Sequence, residues 1–533
     1  MAGRVIEEAS RCRRRRSPYI RSLAFSHVAL LSIEDPLFAG ILEEREGVYR
    51  FKTFTAGEWV GGREYIEVRS PIDCSVIAEV PKLEWSQVDA ALDRVYRVGR
   101  WRVRDTPGWR RLEILERLAS LMEEHREALV HSLVVNSGKT RGQAEGEVNA
   151  CIDRLRRADL DARKIFGEYA PGDWDSTTVE TEAVVRREPY GVVLAIIPFN
   201  YPLFDAVSKF VYSSVAGNAV VVKPPSADPV PVLLFAKLVE EAGFPGEAFA
   251  VVTVPGRESG RLVADERIHV ISFTGSSETG RRVLATAGIK QFIMELGGGD
   301  PAIVLGDADI EYAAGRIAAG IYSYAGQRCD AIKLVLVEEQ AYGELSRALV
   351  EELSRVKVGD PRDPETVMGP LISPRAADEM MEAVKEAVER GGRILYGGRR
   401  LGPTYVEPTL IEVLDHEVLR GLRLYREEVF APVAVVTSFR SDDEAIELAN
   451  GRRYGLDVAI FGRDLNRIRR YIRMLEFGAI YVNDMPRHGV GYYPFGGRKN
   501  SGIGREGIGY SIEYVTAYKT IVYNYRGLGI WRY

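Results

Sequence analysis

Residues 321–332 read IYSYAGQRCDAI, and Cys329 within them is the side chain best suited to nucleophilic attack. A thiol attacks as its thiolate, and the cation of Arg328 directly before it favours that form. Thirty-four residues earlier (329 − 295), Glu295 stands between Met294 and Leu296 and ahead of Gly297, Gly298 and Gly299. Apolar neighbours desolvate a carboxylate and raise its pKa towards that of a useful base. Glycines beside it suit the close approach of a ligand to the backbone. Asn200, in PFNYP, offers a neutral amide donor of the kind that stabilises an oxyanion. Nucleophile, base and oxyanion donor together point to chemistry at a carbonyl carbon.

A second group of residues suits a nucleotide. Gly275 and Ser276 fall in SFTGSSETG, where a strand passes through a turn into a helix, and a helix N-terminus presents N–H groups to an anion. Lys223 ends the apolar run AVVVK, at the strand edge where open α/β sheets bind ligands. Ser226, three residues on, carries no charge that would repel a 2′-phosphate. Two other glycine patterns fail on context. NSGKT lacks the first glycine of a P-loop, since Leu133 occupies that place. Gly502, Gly504 and Gly507 match a dinucleotide fingerprint but follow no strand.

Taken in order, IIPFNYP, VVKPPSADP, ISFTGSSETG, FIMELGGGDP, AGQRC, REEVFAPV and YYPFGGRKNSGIGRE resemble the aldehyde dehydrogenase superfamily from about Phe54 to near the C-terminus. AGQRC and NDMPRHGVGYYPFGGRK are most similar to the archaeal non-phosphorylating glyceraldehyde-3-phosphate dehydrogenases. The resemblance implies Cys329 as nucleophile, Glu295 as deacylating base, and Asn200 with the Cys329 N–H as oxyanion hole. It implies NADP or NAD bound by Pro198, Phe199, Lys223, Ser226, Gly275, Ser276, Gly297, Glu428 and Phe430. Tyr201, Arg328 and Arg487 match positions that hold a substrate phosphate, with a further arginine expected from Arg154, Arg156 or Arg157. The implied activity is oxidation of glyceraldehyde 3-phosphate without phosphate incorporation. The alternatives are another anionic aldehyde, such as succinate semialdehyde, and a non-catalytic relative with a structural or binding role. A homotetramer is implied as well.

The elements that must position these residues follow from pattern. Strands are expected over 191–197, 219–223, 250–254 and 270–273, and helices over 202–212, 230–242 and 279–287. That alternation indicates a parallel, doubly wound sheet, and a second α/β series runs from 301 to about 483. Helices are also expected over 86–98, 110–136 and 145–164, an antiparallel strand pair after Phe54, and strands over 181–186 and 511–523. The expected fold class is α/β: a doubly wound cofactor domain (51–165 and 188–296), an α/β catalytic domain (297–505) and oligomerisation strands (166–187 and 506–533). Residues 1–17 read as a disordered basic tail, and 18–50 as an N-terminal extension with one or two helices. The 533 residues carry a net charge of −5, which argues against a nucleic-acid binder. No apolar run reaches the length of a membrane span. Four scattered cysteines and six scattered histidines show no metal-ligand or disulfide spacing, so no metal is expected and a reducing cytoplasm is.

Overall fold

The computed structural model describes residues 31–489 and 491–525. The expected tail and the start of the extension lie outside them. An eight-stranded sheet forms the first half. Its central strands, in spatial order, are Gln291–Glu295, Val270–Thr274, Val192–Ile196, Ala219–Lys223 and Phe249–Val251, all parallel. Val192–Ile196 and Ala219–Lys223 are buried along their whole length, which is why they read as unbroken apolar runs rather than alternating ones. Helices Pro202–Ala216 and Val230–Glu241 are the crossovers; the first is buried at all but one residue, and the second at nine of its twelve. From Val192–Ile196 the chain first adds strands on one side and then returns to add Val270–Thr274 on the other. Strand order therefore reverses between those two neighbours, and a crevice opens beyond their carboxyl ends.

A seven-stranded sheet forms the second half, in the order Arg393–Tyr396, Thr409–Glu412, Val433–Phe439, Ile332–Glu338, Asp300–Val304, Asp457–Phe461 and Ala479–Val482. All neighbours are parallel except the first pair. Thr516–Asn524 and Glu168–Pro171 flank Thr181–Pro189 in an antiparallel three-stranded sheet, with nine residue pairs joining the first and last-named strands.

Several elements differ from expectation. The described part of the extension holds one short 3₁₀ turn, Pro36–Phe38, and then a hairpin, Leu42–Arg45 with Val48–Phe51, while residues 18–30 lie outside the described residues. The hairpin's second strand alternates partly buried and buried residues and pairs Tyr49 with Ala78 of Val76–Lys82, so a neighbouring sheet edge decides its conformation. Two hairpins follow Phe54 instead of one pair: Thr53–Thr55 with Glu58–Val60, and Glu64–Arg69 with Val76–Lys82. The helix expected over 110–136 is broken at His125, where Asp35 Oδ2 meets the ring Nδ1 at 2.6 Å. Apolar spacing runs on through that break, so periodicity could not show it. The helix expected over 145–164 begins at Arg141, behind a Thr140–Gln143 capping box, and kinks at Arg157. Helix Trp85–Arg94 runs on through a wide turn, Val95–Gly99, into Arg100–Asp105. Residues Ser511–Tyr514 form a helical turn before the last strand rather than part of it. Among the described residues no helix is long and apolar enough to cross a membrane.

Candidate active site

A cleft of about 980 Å³ lies between the two large sheets, at the carboxyl ends of the first. Its wall includes Pro198, Phe199, Asn200 and Tyr201 after the strand Val192–Ile196, Gly275 and Ser276 after Val270–Thr274, and Glu295 and Gly297 after Gln291–Glu295. Arg328, Cys329, Glu428, Phe430 and Arg487 come to the same wall from the second half. Lys223 and Ser226 are not on it, although Pro225 between them is. The Lys223 ammonium is buried and donates to the Pro224 carbonyl at 2.9 Å, and burial lowers its pKa to about 8. Ser226 is exposed.

The loop before Cys329 is strained. Tyr324, Ala325 and Gly326 are all left-handed, with φ of 49°, 52° and 66°. It is tied down at several points. The Tyr324 hydroxyl donates to the Ser137 carbonyl at 2.8 Å, and the Gln327 side chain accepts from Ile372 N–H at 2.8 Å. The three glycines of ELGGGDP each leave room for something. A Cβ at Gly297 would meet Glu428 Oε2 at 2.4 Å, one at Gly298 the Cys329 carbonyl oxygen at 2.1 Å, and one at Gly299 the Arg452 guanidinium at 2.8 Å.

Asn200 is buried, and its amide makes no hydrogen bond to protein among the described residues, which leaves it free to donate into the cleft. Lys139 and Glu147, which pattern reading did not single out, organise this corner. Glu147 Oε1 accepts from the Leu203 and Phe204 N–H groups at 3.1 and 3.0 Å, at the start of helix Pro202–Ala216. Its other oxygen is ion-paired with Lys139, whose ammonium lies 3.9 Å from the Tyr201 ring centre and 4.6 Å from that of Tyr324. The buried cation thus joins the loop of Asn200 to the loop of Cys329. Lys139 is the lysine of the rejected NSGKT pattern, so a signal was present, though not for a phosphate.

Glu295 is buried with neither carboxylate oxygen hydrogen-bonded, and burial, reinforced by Glu506, pushes its pKa well above the ordinary range. Lys209 and Arg505 oppose the shift. Lys209 is itself buried, ion-paired with Glu506 and 3.4 Å from Asp205. Arg328 and the Cys329 thiolate attract each other as expected, but that attraction does not decide the state of the thiol. The Arg328 guanidinium is committed to Asp330 at 2.8 Å and to the Pro486 carbonyl at 2.9 Å. Burial, with the carboxylates of Asp330 and Glu428, raises the Cys329 pKa well above that of a free thiol. Burial also lifts Glu428 to about 7, although its Oε1 accepts from the Gly298 N–H at 3.2 Å.

Arg487, also on the wall, is largely exposed and paired with Asp484 at 2.8 Å. The arginine expected from residues 154–157 does not line the wall. Arg154 is buried against Asp161, Arg156 lies at the surface, and Arg157 bonds to Tyr492; that helix contributes Asp153 instead. The Ser276 hydroxyl caps helix Ser277–Ala287 by accepting from the Thr279 N–H at 3.3 Å. Backbone N–H groups of the first helical turn remain as anion donors there. Phe199 and Phe430 pack edge to face, with ring centres 5.8 Å apart. Among the described residues no group of three or more His, Cys, Asp or Glu side chains is placed to hold a metal ion.

Several known proteins are similar to this chain in sequence and fold. Residues 59–521 match the model of the aldehyde dehydrogenase family. A lactaldehyde dehydrogenase of Methanocaldococcus jannaschii is 34% identical, over 88% of this chain and 99% of that one. The solved structure of glyceraldehyde-3-phosphate dehydrogenase GapN from Methanocaldococcus jannaschii, complexed with NADP, is 33% identical, with a TM-score of 0.81, covering 87% of this chain and 99% of that one. That of aldehyde dehydrogenase 21 from Physcomitrella patens, in complex with the reaction product succinate, is 31% identical, with a TM-score of 0.86, covering 90% and 99%. The chain belongs to the aldehyde dehydrogenase family.

Proposed function

We propose that this aldehyde dehydrogenase oxidises a small anionic aldehyde, first of all glyceraldehyde 3-phosphate, to its carboxylate with NAD(P) and without inorganic phosphate. The observation that carries the reading is the presence of Tyr201, Arg328 and Arg487 on the wall that also holds Cys329, Asn200 and Glu295. Two guanidinium groups and a phenol suit an oxyanion better than an alkyl chain.

The cofactor fits the donors present. The first turn of Ser277–Ala287 would hold the pyrophosphate, Lys223 and Ser226 would lie towards the adenosine ribose, and Glu428 would take the other ribose. When bound, NAD(P) supplies the hydride acceptor. The protein does the rest. Glu295, held in a site that raises its proton affinity, takes the Cys329 proton. The thiolate adds to the aldehyde carbon, and the Asn200 amide and Cys329 N–H donate to the oxyanion; one such donor contributes about 10²–10³ in kcat. Loss of hydride leaves a thioester on Cys329. Glu295 releases that proton to solvent and, as carboxylate again, removes a proton from a water, which attacks the thioester carbon; collapse expels the Cys329 thiolate, the product leaves as its carboxylate, and the thiolate takes up a proton to re-form the thiol. Thr181–Pro189 and Thr516–Asn524 would form the contact between subunits of a homotetramer.

One observation favours a second reading. Arg328 and Arg487 each share their charge with an aspartate, Asp330 and Asp484, so the wall is less cationic than two free arginines. That suits a single carboxylate, as in succinate semialdehyde. The deciding experiment is cofactor reduction by the purified protein without inorganic phosphate. Turnover of glyceraldehyde 3-phosphate supports the first reading and selective turnover of succinate semialdehyde the second. Cofactor binding without turnover of either or of lactaldehyde would overturn both.

A further inference from the structure

Lys333 lies four residues beyond Cys329, on strand Ile332–Glu338, and is buried with 3% of its surface exposed. It is not on the cleft wall. Its ammonium donates to the Gly326 carbonyl at 2.9 Å and to the Ala431 carbonyl. Gly326 is the last of the three left-handed residues in the nucleophile loop. Ala431 directly follows Phe430, which lines the cleft. The two segments are in backbone contact here: a Cβ on Gly326 would meet the Ala431 oxygen at 2.4 Å and Pro432 N at 2.7 Å. Two carbonyl oxygens pointed at one place repel each other. A donor between them turns that repulsion into two hydrogen bonds.

We infer that Lys333 is a positioning residue, a clamp that fixes the spacing between the Cys329 loop and the wall bearing Phe430. The side chain lies off the cleft wall and acts through these two loops. Glu428 and Asp300 favour the charged amine, whereas burial, Arg328 and Arg452 disfavour it, and the balance lowers its pKa to about 7. The clamp does not need the charge. A neutral amine keeps two N–H groups, one for each carbonyl. This distinguishes clamping from an electrostatic effect on the thiol, which would vanish with the charge.

The test compares Lys333→Met, which has no donor, with Lys333→Gln, whose amide offers two N–H groups and no charge. The readouts are the cofactor-reduction burst and the pH profile of Cys329 alkylation by iodoacetamide. Glyceraldehyde 3-phosphate is the substrate for the burst, with lactaldehyde in its place if the phosphorylated aldehyde is not turned over; failure of the substrate assignment is thereby kept apart from failure of the clamp. Misplacement of a reacting group by about 1 Å costs on the order of 100-fold. Lys333→Met is expected to slow the burst about 10- to 100-fold and leave the alkylation profile where it is in wild type, and Lys333→Gln to recover much of the burst. A Lys333→Met burst within about twofold of wild type, or equal losses in the two variants, would overturn the clamp. If Lys333→Met does not fold, Lys333→Gln decides alone: a burst within about tenfold of wild type supports the inference, and a larger loss overturns it.

Discussion

The carbonyl oxygen of Cys329 lies against Gly298 so closely that a Cβ on the glycine would come within 2.1 Å of it, while the Gly299 N–H donates to the same oxygen at 3.3 Å. The obstacle is backbone, so no rotamer change relieves it. Gly298→Ala must push back the residue that bears the thiol. The expected result is a burst slowed by about 100-fold or more in a folded protein. Stopped-flow cofactor reduction measures it, and a near wild-type burst would show that the loop shifts without consequence.

Burial and the carboxylates of Asp330 and Glu428 keep the Cys329 thiol protonated to higher pH than a free cysteine. Its alkylation rate in the cofactor-free protein is expected to keep rising with pH beyond the range where an ordinary thiol has finished titrating. Asp330→Asn removes one of those charges and frees Arg328, so its profile should move to lower pH. A wild-type rate already level at neutral pH would contradict this. Cys329→Ser should abolish oxidation while cofactor binding, followed by fluorescence, persists.

Glu295→Gln should keep the burst to the extent that another group can accept the thiol proton, and should slow the steady state, where the thioester is hydrolysed. Stability gives an independent check. A carboxyl whose folded-state pKa is raised contributes fully below its unfolded pKa, and that contribution is lost as pH rises through the folded value. The glutamine carries no such term. The Tm of Glu295→Gln should therefore gain on wild type as pH is raised, by calorimetry at matched scan rates. A constant difference across pH would mean that the carboxylate finds partners absent from this arrangement.

Ser226→Glu tests the nucleotide end. The new carboxylate should repel a 2′-phosphate and accept hydrogen bonds from a free ribose diol, shifting the kcat/KM ratio from NADP towards NAD. Ser226 is exposed and Pro225 lines the cleft, so the change should leave the fold intact. An unchanged ratio would place Ser226 away from the ribose.

Arg487→Leu tests the substrate. Charge-assisted hydrogen bonds to a dianion contribute roughly 1.5–3 kcal/mol, or about ten- to a hundredfold in kcat/KM. The loss should fall on glyceraldehyde 3-phosphate and spare glyceraldehyde, and Lys at 487 should restore only part of it. Equal proportional losses would make Arg487 structural, held by Asp484 for the sake of its loop.

Sequence by itself determined the family, the α/β class and many of the residues that meet on one cleft wall, Cys329, Glu295 and Asn200 among them, though Lys223 and Ser226 are not on it. Those residues sit at strand ends and tight turns, where local pattern is distinctive: apolar runs such as AVVVK mark strands buried on both faces, and glycines mark places where backbone meets backbone. Tertiary structure alone decided the electrical state of the site. Arg328 precedes Cys329 in the chain, yet its charge is taken up by Asp330, and the sequence cannot say which side chains a folded loop turns towards each other. Lys139, Glu147 and Lys333 went unread for the same reason. Their partners lie on other segments, as with Glu147 and the N–H groups of Leu203 and Phe204 or Lys333 and the carbonyl of Ala431, and such pairings exist only once the two sheets have come together. Likewise Leu42–Phe51, at the end of the extension, became a hairpin because a sheet edge at Val76–Lys82 was there to receive it.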